Sequence, residues 1–134
     1  MAVKQPQTMT DSQLEELLAL LQKQQGYYDS IWEITQQEEE KLRKGRPLTE
    51  TVNLLKKKKI LVTCVEEIDT MIRPLRALWS KQQGSNPLAD AIKALIKTLD
   101  QTLKNTLEQD KKNQRLMQQA ISRLQHQKSQ ALET

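Results

Sequence analysis

Residues 61–79 read LVTCVEEIDTMIRPLRALW. Leu61, Val65, Ile68, Ile72, Leu75 and Trp79 follow one another at spacings that alternate four and three. That is the seam of a heptad helix, whose apolar edge meets a partner helix along its whole length. The only breaker is Pro74, which removes a backbone donor and clashes with the preceding turn. It is expected to kink the helix or start a new turn.

The same seam extends backwards to Leu54, with Lys58 standing where the next apolar member is missing. Gly45-Arg46-Pro47 precedes it. Glycine suits the position after a helix and proline the first turn of the next one. A second helix over 48–79 is therefore predicted, and a first one ends near Lys44.

That first helix starts at about Thr10. Ser12 with Glu15 fits a capping box, and Thr10 or Asp11 are alternative caps. Leu14, Leu17, Leu18, Leu21, Tyr28, Ile31, Trp32 and Leu42 fall mostly at helical spacings. The stripe weakens at Gln24, Gln25, Thr35 and Glu38, and Gly26 marks a candidate irregularity. Residues 1–9 are polar, contain Pro6 and read as a disordered terminus.

A third helix opens at Asn86-Pro87, with Asp90 in its first turn. It carries Leu88, Ile92, Leu95, Ile96, Leu99, Leu103 and Leu107. A polar run over 108–115 interrupts the stripe. Leu116, Met117, Ala120, Ile121 and Leu124 resume it, and the helix is predicted to run over 87–128. Gly45 and Gly84 mark the two turns.

The fold class is therefore all-α: an elongated, antiparallel three-helix bundle or coiled-coil hairpin with a long C-terminal helix. It forms one helical domain over 10–134. Helices of this length span roughly 50–60 Å, and narrow apolar stripes predict a slender bundle.

Composition excludes several classes of chemistry. The 134 residues are 3% aromatic and contain no phenylalanine, which argues against a compact enzyme core. One cysteine and one histidine leave no disulfide framework and no Cys/His metal cluster. Gly26, Gly45 and Gly84 stand too far apart for a phosphate-cradling loop. No Glu-x-x-His pair of the di-iron bundles is present. The expectation is a non-enzyme with no cofactor, no metal and no membrane insertion, soluble in the cytoplasm.

Charge is uneven along the chain. Residues 1–40 hold two Lys against eight Asp and Glu, and residues 41–76 hold ten Lys and Arg against four. The first two helices therefore complement each other as a hairpin. The four lysines at 56–59 point in directions spread over about 300° of the helix. They read as a solvated face that partly pairs with the first helix, with no nucleic-acid role. Cys64, beside the seam, reads as a small buried apolar residue.

The aromatic residues have two readings. Tyr28 and Trp32 share a helix face and either plug the hairpin together with Trp79 or form a recognition spot. The C-terminal strip also has two readings. It takes a partner's helix, or it packs against the first helix or a second subunit.

The run from Leu17 to Arg73 resembles the FlgN-like family of flagellar type III export chaperones. The resemblance lies in Leu17, Leu18, Leu21, Tyr28, Glu38 and Leu42, followed by the basic turn at Gly45. After the turn come Leu54-Leu55, Lys58 or Lys59, Leu61, Glu66-Glu67 and Arg73, and then a long third helix. The resemblance implies a small cytoplasmic chaperone that masks the amphipathic terminal helix of hook-associated, hook–filament junction proteins. It would bring them to the export apparatus. It implies a partner site on the third helix: Leu116, Met117, Ala120, Ile121 and Leu124, with Leu99, Leu103 and Leu107. The alternative is a scaffold or adaptor that forms a homo-oligomer through the same strip.

Overall fold

The computed structural model describes residues 9–81 and 86–133. Residues 1–8 of the expected disordered terminus, and Gly84 of the expected second turn, lie outside the described residues. The described residues form three helices: α1 (Asp11–Arg43), α2 (Leu48–Trp79) and α3 (Pro87–Glu133). The all-α class is as expected. The first two helices match the sequence reading within a residue, and α3 continues five residues past the expected 128.

Helix α1 is capped by Thr10 rather than by Ser12. The Thr10 hydroxyl accepts from the Gln13 amide at 3.1 Å, and the Gln13 side chain accepts from the Thr10 amide at 2.9 Å. This reciprocal pair satisfies two donors that the helix start would otherwise orphan. Met9, assigned from sequence to the disordered stretch, is instead buried with Leu14 in one core cluster. A hydrophobic residue just before the cap and one a turn inside it staple the chain to the helix.

The end of α1 is equally specific. The Arg46 amide donates to Lys41 O at 3.0 Å and the Gly45 amide to Leu42 O at 3.3 Å. Gly45 adopts φ +66°, the left-handed conformation that this two-bond closure requires. Glu50, in the first turn of α2, takes Lys41 at 3.1 Å and Arg46 at 2.9 Å, so the turn is clamped from both sides.

Helix α2 is continuous from Leu48 to Trp79, so Pro74 starts no new turn. Pro74 and Thr70, whose carbonyl loses its helical donor, are both exposed. Solvent can satisfy the freed carbonyl there, which makes the proline tolerable. Helix α3 begins as expected, the Asn86 side chain accepting from the Leu88 amide at 2.8 Å.

Polar pairs fix the directions. Glu38 meets Lys58 and Gln24 meets Asp69, so α2 runs antiparallel to α1. Asp11 meets Asn86, Gln25 meets Thr102 and Thr35 meets Asn113, so α3 runs parallel to α1. Helix α1 is the middle element, with α2 and α3 each packed on it. Among the described residues no Cα of α2 comes within 8 Å of one in α3.

The α1 stripe does not weaken in position; it changes chemistry. Leu14, Leu17, Leu21, Gln24, Ile31, Thr35, Glu38 and Leu42 are all buried. In α2 the seam runs Thr51, Leu54, Lys58, Val65, Ile68, Ile72 and Leu75. The large apolar cluster occupies one end of the molecule, built from Leu14, Leu17 and Leu21, Ile68, Ile72 and Leu75, and Ile92 and Leu99. Towards the Gly45 turn polar residues, Thr35, Glu38, Thr51 and Lys58, share the buried positions with Ile31, Leu42 and Leu54.

The aromatic plug is distributed differently from the sequence reading. Trp79 packs against the apolar cluster that holds Leu14. The short antiparallel turn carries the end of α2 past Tyr28 and Trp32 to the first turns of α1. Tyr28 joins the cluster edge and half-buried Trp32 does not. Cys64 is free and half-buried.

Gly26 lies on an exposed, uninterrupted part of α1, and a Cβ added there would meet nothing within 4 Å. Gly26→Ala is expected to raise stability by about 0.5–1 kcal/mol, by restricting the unfolded chain. Urea denaturation checks it as a higher midpoint with an unchanged slope.

Candidate functional site: an open groove between the outer helices

Because α2 and α3 touch α1 and not each other's backbone, a groove runs between them. On its α2 wall Leu55, Asp69 and Arg76 line cavities, and Val62 stands between them in the same heptad register. Its α3 wall has two such columns. One holds Leu103, Asp110, Met117 and Leu124, each of which lines a cavity, and the other runs through cavity-lining Gln114, with Leu107 and Ile121 one heptad to either side of it. Cavities tie the walls together. Leu103 shares one of about 150 Å³ with Asp69 and Arg76. Met117 shares one of about 410 Å³ with Leu55. A third, of about 280 Å³, lies where Ala120 and Leu124 face the Gly45 turn.

The structure divides the expected partner residues. Leu99 is 6% exposed and belongs to the core, so it is not available to a partner. It falls on the α3 line of Ala89, Ile92, Leu99, Thr106 and Asn113 that seats the helix on its neighbours. Leu103, Leu107, Ile121 and Leu124 are exposed, while Leu116, Met117 and Ala120 are half-buried. From Ile121 to Leu132 every residue is exposed.

The centre of the groove is crossed by a charge cluster. Lys58 Nζ donates to Glu38 at 2.8 Å and to Asp110 at 2.5 Å. The Lys58 and Glu38 side chains are 11% and 4% exposed, and that of Asp110 is 31% exposed. Burial holds the Glu38 carboxyl above its ordinary value, against the hydrogen bond and charge of Lys58, and Asp110 adds to the rise. Two carboxylates share one ammonium, so the ionised triad carries one surplus negative charge.

A second polar layer joins α1 to α3. Asn113 donates to the Thr35 carbonyl at 2.8 Å, and Gln109 donates to Asn113 at 3.0 Å and to Glu39 at 2.6 Å. The Thr51 hydroxyl, in the wall of the 410 Å³ cavity, is buried with no hydrogen-bond partner. In the smaller cavity the Tyr28 hydroxyl is raised above its usual value by burial and then by Asp69.

The sequence reading placed the lysines at 56–59 on a solvated face. That describes Lys56, Lys57 and Lys59, which are exposed, but Lys58 is buried. Its position was the clue. It fills the seam position where an apolar residue was missing, and Glu38 fills the matching gap on α1. Asp110 lay inside the polar run that appeared to interrupt α3. That run is instead the polar part of the same seam.

Among the described residues no group of three His, Cys, Asp or Glu side chains could hold a metal ion. Among the same residues no helix is long and apolar enough to cross a membrane. The chain matches no protein-family model, no curated protein and no solved structure.

Proposed function

We propose that this protein is a non-catalytic chaperone that captures an amphipathic helix of a secreted structural protein. The reading rests on the unfilled α2–α3 groove, flanked by exposed Leu103, Leu107, Ile121 and Leu124 on α3 and by Leu55 and Val62 on α2. A helix laid between α2 and α3 would complete a four-helix bundle and bury apolar surface on both partners. Masking of that kind prevents premature polymerisation of the cargo. The family resemblance makes the cargo a hook-associated flagellar protein, the recipient the export apparatus, and the compartment the cytoplasm.

Leu107→Asp with Ile121→Asp tests it. Both side chains are exposed, at 53% and 41%, so the fold is expected to keep its melting temperature within the ordinary range of surface changes. Co-purification with hook-associated proteins is expected to fall at least tenfold. Full retention by the folded variant removes the groove as the cargo site.

The exposed α3 segment over 121–132, with Leu132 at 82%, favours a second reading as a self-associating scaffold. Sedimentation separates the two. A tight dimer that the Ile121→Asp change dissolves supports the scaffold.

A further inference from the structure

We propose that the 410 Å³ cavity in this groove is an anchor pocket for one arginine or lysine of the captured helix. This rests on the helix-capture reading and adds the charge chemistry by which the groove selects its partner. Two independent observations carry it.

The first is charge. Glu38 and Asp110 share Lys58, and among the described residues Lys58 is the sole cation in the cavity lining. The cavity wall therefore keeps one negative charge that no lining residue balances. Asp110 is the more open of the two carboxylates, and only its Oδ1 is bonded to Lys58. A cationic head entering from the groove can reach it. The aliphatic stem would lie along Leu55 and Met117, which form the apolar part of the same lining. Long basic side chains bury their stems in this way while the charged head finds its partner.

The second is the orphaned Thr51 hydroxyl in the same wall. A buried hydroxyl without a partner is costly to keep. An incoming guanidinium or ammonium supplies a donor to its oxygen. A purely aliphatic anchor would leave both the hydroxyl and the surplus charge unsatisfied, and an acidic one would accept from the hydroxyl but add repulsion to the surplus charge.

The test uses the full chain and three synthetic amphipathic helical peptides with the same leucine stripe. They differ at one central position, which is Arg, Leu or Glu. Fluorescence anisotropy is expected to rank them Arg, then Leu, then Glu, with Arg about tenfold tighter than Leu. Asp110→Asn takes away the surplus charge and is expected to erase the Arg preference. The ratio is read within each folded variant, so a change in overall stability does not enter it.

Equal binding of all three peptides overturns the anchor pocket and leaves helix capture standing. A preference that survives Asp110→Asn overturns it as well. Binding of none of them overturns both readings. A dimer seated in the groove, seen by sedimentation and broken by Leu55→Asp, overturns the partner helix as its occupant.

Discussion

Lys58→Met is expected to destabilise the protein by about 3–5 kcal/mol, because it strands the buried Glu38 carboxylate beside half-buried Asp110. Methionine keeps the apolar stem that packs in the seam and removes only the ammonium. Glu38 is then left 4% exposed beside Asp110 with no cation between them. At this chain length the melting temperature should fall by roughly 10–20 °C. Asp110 is partly open to water, so most of the loss comes from Glu38. Replacing Glu38, Lys58 and Asp110 together by methionine should restore most of the stability, since no charge then remains to be desolvated.

The loss should depend on pH in a direction the structure fixes. Glu38 sits above its ordinary 4.5 because burial outweighs Lys58, the only group that pulls it down from both charge and hydrogen bonding. A carboxyl whose folded value is raised binds its proton more tightly in the folded state. Its contribution to stability is complete below the unfolded value and is lost as pH rises through the folded one. Without Lys58 only raising influences remain, so the folded value climbs further. The deficit of Lys58→Met should therefore be largest near pH 7 and shrink as the solution approaches pH 4.5. Urea midpoints of both proteins at the two pH values measure it. An equal deficit at both would show that Glu38 takes up no proton when Lys58 is gone.

The helices were legible in the sequence because their punctuation is chemical. Gly45 followed by Pro47, and Asn86 followed by Pro87, state where the chain turns and restarts. The seam of α2 was legible because its members are Val, Ile and Leu. The polar half of the bundle was not, for a physical reason. Apolar periodicity detects burial only where burial is apolar, and Gln24, Thr35, Glu38, Lys58, Thr106 and Asn113 are buried by pairing instead. Each stood at a heptad position, so spacing without hydrophobicity held the signal. Which side of α3 faces water was half legible. Ile121 and Leu124 are exposed. Leu99 shares their spacing but faces the core, and periodicity alone does not say which side of a long helix meets its neighbour.

Leu17→Ala is expected to cost about 3–4 kcal/mol, towards the upper part of the range for buried leucines. Leu17 is fully buried in the apolar end, where α1, α2 and α3 all contribute to one cluster. A cavity there is held open from three sides, so its walls collapse little. The same truncation at Leu124, half exposed on the groove wall, should cost no more than about 0.5 kcal/mol. Thermal unfolding of the two variants measures the contrast. It also locates the stability of the molecule, since the apolar end carries the fold while beyond it α3 is held by polar pairs, Thr102, Gln109 and Asn113 to α1 and Asp110 to Lys58 of α2. Native-state hydrogen exchange should accordingly be slowest around 14–21, 68–75 and 92–99 and fastest beyond residue 120. A partner helix that fills the groove adds apolar contact to just this weakly held half. Slower exchange over 103–124 on adding the Arg peptide, with 14–21 unchanged, is the expected signature. Slowing confined to the apolar end would place the partner elsewhere.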